Sequence, residues 1–273
     1  GVWGVIPIST REVEFEQFFK DEQTITIQAS DADGSGVKSI QYYIANDDLI
    51  GDASSSTEDA ISKIEAAIAG WEDYSDMITL QEKGKYVVYV KIMDHVGHVT
   101  YLSSDGLVLY SDSSFTNSEV FREYKAGTPL DVAYTSNGNM LQSISYNGKT
   151  LEQDVAYTLP TDAEVIRFSS SWLDTLDAGK HVFTVAFAPQ GVETSAVSVT
   201  QTVTLNIEKA PLTILEVTPS ITEKDYDGRD TLAISKVNLK GIKDTDIVSI
   251  DMSKLTAKLP SADAGSYQKV MVT

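Results

Sequence analysis

The sequence predicts an all-β protein, a series of small β-sandwiches with one short amphipathic helix in the first. Three observations carry that expectation. Apolar and polar residues alternate with period two in segment after segment, as they do when one face of a strand is buried. These segments recur roughly every 8–12 residues and are punctuated by Gly, Asn, Asp and Pro. Only one stretch carries a helical period instead.

The elements follow in order. Ile25, Ile27 and Ala29 alternate with Thr26, Gln28 and Ser30, and Ile40, Tyr42 and Ile44 repeat the pattern. Between Thr57 and Trp71, residues Ile61, Ile64, Ile68 and Trp71 recur at spacings of three and four, which puts them on one face of a helix. Thr57 is its expected N-cap, and Glu58 and Asp59 suit the positive end of the helix dipole. This helix is expected to lie across an edge or end of the first sandwich. Tyr86 to Met93 is an almost unbroken β-branched and aromatic run, the mark of a central strand. Asn137-Gly138 and Asn147-Gly148 are hairpin signals, because both residue types accept positive φ. Val197, Val199, Val203, Leu205 and Ile207 then alternate with Ser198, Thr200, Thr202, Thr204 and Asn206.

Charge divides the chain. The 273 residues carry a net charge of −19, and 42% of them are hydrophobic, enough to fill real cores. Residues 1–112 hold 7 basic and 20 acidic side chains, residues 113–208 hold 5 and 11, and residues 209–273 hold 9 of each. The steps coincide with the polar stretch Ser111–Ser118 and with Glu208-Lys209-Ala210-Pro211, so three modules are expected, 1–112, 113–208 and 209–273. The chain stops at Thr273 inside a strand-like stretch, and the third module is expected to be truncated. It opens at Gly1 without an export signal, which reads as a trimmed N-terminus.

Several functions are disfavoured at once. Phosphate backbones and anionic lipids need clustered Lys and Arg, so a strongly acidic chain is a poor partner for nucleic acid or a charged membrane surface. With no cysteine there is no disulfide, no thiolate chemistry and no cysteine-bound zinc. No apolar run is long enough to span a bilayer as a helix. The three histidines, His95, His98 and His181, lie in no G-x-S-x-G context, and no phosphate-cradling glycine loop is present. The segment Asp94-His95-Val96-Gly97-His98 offers three zinc-type ligands but reads as an ordinary turn. Asp31-x-Asp33-x-Ser35-Gly36 starts like a calcium loop, yet the bidentate Glu that an EF-hand needs at position 12 is replaced by Tyr42. Asp31 and Asp33 are therefore the candidate calcium ligands, and no catalytic set or cofactor is expected. Trp3, Trp71 and Trp172 are candidate stacking platforms for sugar. Trp71 falls on the apolar helix face and Trp172 precedes Leu173, so both read as core residues. Tyr42 and Tyr43 are neighbours on a strand, where one of the two must face outward.

Three resemblances accompany this reading. Asp31 to Val37 followed by Ile40 and Tyr42, the stretch from Lys83 to Thr100, and Ser104 to Leu109 resemble the bacterial Ig-like domains of Gram-positive surface proteins, over roughly residues 3–112. His98 stands where those domains usually have Asn. Asn137-Gly138-Asn139 with Leu141 and Ile144, Asn147-Gly148, Leu151, Tyr157, Trp172-Leu173, Leu176, Gly179 and the strand Val182–Phe187 resemble the X-two modules, Ig-like units found beside cellulases and on bacterial surfaces. Tyr226-Asp227-Gly228, followed by Val237, Leu239, Gly241, Asp246, Ala264-Gly265 and Val270-Met271-Val272, resembles the YDG repeats of surface proteins. These resemblances imply a non-catalytic stalk or spacer of a secreted or wall-anchored, adhesin-like bacterial surface protein. It would be monomeric and would reach polysaccharide or a host or cell-wall component through flanking domains. It would have no nucleic-acid partner and no membrane insertion. The alternative they imply is a carbohydrate-binding accessory region of an extracellular polysaccharide-acting enzyme.

Overall fold

A computed structural model describes residues 5–8, 13–31, 34–51, 56–193 and 197–273. Two compact units result. One comprises the chain up to Val120 with Leu130–Phe168 and His181–Leu205; the other comprises Phe121–Pro129, Ser169–Lys180 and Asn206–Thr273.

The N-terminal stretch carries β1 (Val5–Pro7), β2 (Phe15–Phe19), β3 (Gln23–Ile25), β4 (Val37–Ala45), helix α1 (Thr57–Ala67), β5 (Glu72–Asp73), β6 (Ile78–Leu80), β7 (Gly84–Asp94), β8 (Val99–Ser104) and β9 (Gly106–Leu109). Its main sheet has the order β1-β8-β7-β4-β5, while the start of β7 pairs with β9, which in turn runs parallel to β2. Strands β3 and β6 form a separate antiparallel pair. The run Tyr86–Met93 is the centre of this stretch, as expected, and its two faces are both covered. Val88 and Val90 pack with Ile25, Ile27, Ile78 and Leu80 on one side. Val87 and Tyr89 pack with Ala60, Ile64 and Ile68 of the helical segment on the other. Helix α1 thus lies on a face of the sheet and not across its edge or end. The reason is that β4 and β7 are apolar on both faces, and the second face needs a cover as much as the first.

The N-cap is Ser56, one residue earlier than expected. Its side chain accepts a hydrogen bond from the Asp59 amide at 3.1 Å, and its extended φ of −156° leaves Thr57 as the first helical residue. The helix ends at Ala67, before Trp71 is reached.

The middle stretch carries β10 (Ser114–Phe115), β11 (Glu119–Glu123), β12 (Leu130–Thr135), β13 (Met140–Tyr146), β14 (Lys149–Thr150), β15 (Tyr157–Thr158), β16 (Val165–Phe168), β17 (Gly179–Ala188) and β18 (Val199–Glu208). They form a four-stranded sheet, β10-β12-β16-β15, and a five-stranded sheet, β11-β18-β17-β13-β14, which is an Ig-like sandwich arrangement. Val132, Ile166 and Phe168 are buried from the first sheet, and Ile144, Phe183, Val185 and Phe187 from the second. The Phe168 and Phe183 rings meet at 4.9 Å between centroids. A single helical turn, α2 (Ser170–Leu173), follows β16 and is capped by Ser169. At four residues it is too short to show a period in sequence.

Asn147 and Gly148 take φ of 50° and 74° and close the β13–β14 hairpin, with Tyr146 opposite Lys149, as the sequence predicts. Asn137 and Gly138 adopt the same left-handed pair, φ 53° and 81°. They make no hairpin, because the chain passes there from β12 in one sheet to β13 in the other. This turn holds the polar link before it. The Asn137 amide donates to the Asp112 carbonyl at 2.7 Å, the Asn139 amide donates to the Ser111 carbonyl at 2.7 Å, and the Ser113 hydroxyl donates to the Ser136 carbonyl at 2.7 Å.

The C-terminal stretch carries β19 (Thr213–Pro219), β20 (Thr231–Leu232), β21 (Ile234–Lys240), β22 (Ala257–Lys258) and β23 (Met271–Val272). They make a two-stranded sheet, β19-β21, and a three-stranded sheet, β20-β22-β23. Ala257 is the one fully buried hydrophobic residue of this stretch among the described residues, while Leu215 and Ile247 stand largely exposed. No sandwich core comparable to the other two stretches forms here. Besides its two sheets, ion pairs within the second compact unit tie it: Lys125 to Asp246 at 2.7 Å and Lys243 to Glu123 at 2.9 Å.

Candidate functional site

Asp31 and Asp94 each brace a turn. Asp31 accepts a hydrogen bond from the Gly36 amide at 3.0 Å, bracing the corner before β4; Asp33 lies outside the described residues. Asp94 accepts from the amides of Val96 and His98 at 2.9 and 2.8 Å and pairs with His98 Nδ1 at 3.0 Å. Burial by itself would raise this carboxyl, but the His98 and Val96 hydrogen bonds hold it below the ordinary aspartate range. Among the described residues no three potential metal-binding side chains cluster. His181 lies apart, with Nδ1 at 2.6 Å from the Tyr146 hydroxyl.

The expected stacking platforms are mostly covered. Trp3 lies outside the described residues. Trp71 is half-buried against the helix-side core, and Lys91 Nζ sits 5.6 Å from its ring and 5.7 Å from that of Tyr101. Glu65 completes this closed cluster by pairing with Lys91 at 3.0 Å and accepting from the Tyr101 hydroxyl. Trp172 is half-buried on α2. Tyr42 and Tyr43 are both half-buried, one against each core of the first sheet, so neither presents a free face. The expectation that one of the pair faces outward fails because this sheet is covered on both sides.

Among the described residues two aromatic side chains do stand out from the surface. Phe121 on β11 is 59% exposed and Tyr226 is 72% exposed. Tyr226 borders a cleft of about 710 Å³ in the C-terminal stretch, which Tyr267, Asp225, Asp227, Arg229 and Asp263 also line. The local sequence explains its shape. Gly228, at φ 72°, allows the tight turn after Asp227. Asp227 Oδ1 accepts from the Arg229 amide at 2.9 Å and pairs with Lys224 at 2.8 Å. Lys224 also donates to the carbonyls of Arg229 and Thr231, at 2.9 and 3.2 Å. One ammonium therefore braces both ends of the turn. The Lys224 ammonium, and after it the Arg229 amide, hold the Asp227 carboxyl below its ordinary range, so it stays ionised. Tyr267 is fixed by its hydroxyl, which donates to the Asp263 carbonyl at 2.6 Å.

Aromatic rings beside carboxylates and a guanidinium suit a polyhydroxylated ligand, whose C–H faces stack on aromatics while its hydroxyls pair with fork-shaped polar groups. The described lining contains no histidine. The sequence reading took Tyr226-Asp227-Gly228 only as a family signature and missed the cleft. The available signal was a tyrosine set among Glu223, Lys224, Asp225 and Asp227, where nothing apolar adjoins it to bury it.

Comparison with known proteins finds a likeness in the middle stretch. Residues 115–199 match the family model of the carbohydrate binding domain X2. No curated protein matches the chain. Among solved structures, a tri-modular GH5 (subfamily 4) endo-β-1,4-glucanase from Bacillus licheniformis, complexed with cellotetraose, is 15% identical with a TM-score of 0.33; the match covers 70% of this chain and 37% of that one. The fibronectin(III)-like modules of Clostridium thermocellum CbhA are 11% identical with a TM-score of 0.25, over 75% of this chain and 95% of theirs. A titin fragment, A168169, is 9% identical with a TM-score of 0.33, over 74% of this chain and 98% of its own. The chain spans only 21% of a second tri-modular endoglucanase, from Bacillus halodurans. At identities and TM-scores this low, none of these structures assigns an activity. Within the described residues no helix is long and apolar enough to cross a membrane.

Proposed function

We propose that this chain is a non-catalytic, carbohydrate-binding accessory region of an extracellular polysaccharide-acting protein, arranged as three β modules over 1–112, 113–208 and 209–273. The match of residues 115–199 to the carbohydrate binding domain X2 carries this reading. The net charge of −19 supports it by keeping such a region soluble and away from anionic surfaces. Pull-down of the whole chain with insoluble neutral polysaccharides, together with a glycan array, tests it. Saturable binding to at least one polysaccharide is expected. A blank result on every polysaccharide would overturn the reading.

A spacer role is a second reading, and one observation favours it. The link at residues 111–113 is tied to the 136–139 turn of the second sandwich by Asn137, Asn139 and Ser113 hydrogen bonds. A blank array with a well-folded chain is the outcome this second reading expects.

A further inference from the structure

We propose that the cleft beside Tyr226, outside the stretch matched to X2, is the surface that contacts sugar, and that it takes an uncharged glycan chain. This rests on the accessory-region reading and adds the site and the ligand class. The matched stretch itself buries four of its rings and leaves others half-buried. Tyr157, Phe168, Phe183 and Phe187 are buried, and Phe121 is the one large aromatic side chain there that is mostly exposed among the described residues. The cleft joins an open volume of about 710 Å³, within the range of small-ligand sites, to two tyrosines on its lining.

The Tyr267 ring is pre-positioned, and the turn that follows Tyr226 is braced. Tyr226 leads into the turn that Lys224 braces, and Tyr267 is anchored through its hydroxyl to the Asp263 carbonyl. A ring held in place before binding loses little freedom on binding, which favours affinity. Charge selects the ligand. Glu223, Asp225, Asp227 and Asp263 outnumber Lys224 and Arg229 along the lining. The two cations are partly satisfied by this surplus, and the residual field is negative. Uronic acids, sialic acids and phosphate-bearing wall polymers are repelled, while neutral hydroxyls find acceptors in the carboxylates and donors in Arg229.

Isothermal titration of the whole chain against soluble xyloglucan, mixed-linkage β-glucan, arabinoxylan and galactomannan, with polygalacturonate as the anionic comparison, tests this. Tyr226→Ala, Tyr267→Ala and Phe121→Ala are measured in parallel, each checked by circular dichroism. Binding to a neutral polymer is expected to weaken by about tenfold or more in Tyr226→Ala, equivalent to about 1.4 kcal/mol. Phe121→Ala is expected to bind like the wild type, and polygalacturonate not to bind. No binding of the wild-type chain to any of the neutral polymers overturns this assignment; the accessory-region reading falls with it only when the insoluble polysaccharides and the glycan array are blank as well. Binding that survives in both tyrosine variants, or that falls only in Phe121→Ala, overturns the cleft assignment alone. Binding of polygalacturonate as tight as that of a neutral polymer overturns the ligand class. Because Tyr226 is largely exposed, its replacement leaves the fold standing; should Tyr267→Ala unfold, Tyr226→Ala decides by itself.

Discussion

Arg122 is a charged side chain in a position where charge is rare. Its side chain is only 4% exposed, and it donates to Asp174 at 2.7 Å and to the Thr128 carbonyl at 2.8 Å. On the same strand its neighbour Phe121 points outward. Alternation alone would have placed the phenylalanine inside and the arginine outside. The strand is oriented by the ion pair and by half-buried Val120, which shares the inward face with Arg122. A buried guanidinium without its counter-ion is costly, so Asp174→Ala is expected to lower stability by about 3 kcal/mol in urea titration. Asp174→Asn, which keeps a hydrogen-bond acceptor, is expected to lose clearly less.

At the scale of elements, helix α1 shows how a local signal and its tertiary use differ. The 3–4 spacing of Ile61, Ile64 and Ile68 was legible, because helical geometry alone puts such residues on one face. The destination of that face was not. The helix rests on the sheet made by β4 and β7, and Ile64 is fully buried there. Ile64→Ala is expected to cost about 3–4 kcal/mol, since it removes methylenes and leaves a cavity between helix and sheet. Ser56→Ala is expected to cost about 1 kcal/mol through loss of the cap. Thr57→Ala is expected to change little, because Thr57 is not the cap. Equilibrium urea unfolding of the three variants checks the ordering.

For the whole molecule, the C-terminal stretch depends on polar ties more than on a core. Lys125 and, with it, the Tyr124 hydroxyl bind Asp246, and the Lys125 hydrogen bond is the chief cause that holds this carboxyl below its ordinary value of 3.8. The sign of the pH dependence follows. A folded-state value below the unfolded one stabilises the fold above 3.8, and that stabilisation is lost as pH falls through the folded-state value. Hydrogen exchange in β19 and β21 is therefore expected to accelerate in this acid range before it does in β7, where apolar burial carries the strand. Asp246→Asn is expected to give the faster exchange already at neutral pH and to flatten its acid dependence.

By itself the sequence determined the all-β class, the face of α1, the Asn147-Gly148 hairpin and the anionic balance that disfavours nucleic acid. Each follows from short-range geometry or from composition. Tertiary structure decided the rest. It covered both faces of the first sheet, so Tyr42 and Tyr43 are both half-buried, one against each core. It used Asn137-Gly138 to cross between sheets. It placed Tyr267 on the same cleft as Tyr226, from a part of the chain some forty residues on. Periodicity records which side of an element is apolar within a few residues; it carries no record of which distant segment arrives to cover that side, because that choice is made by packing between residues far apart in the chain.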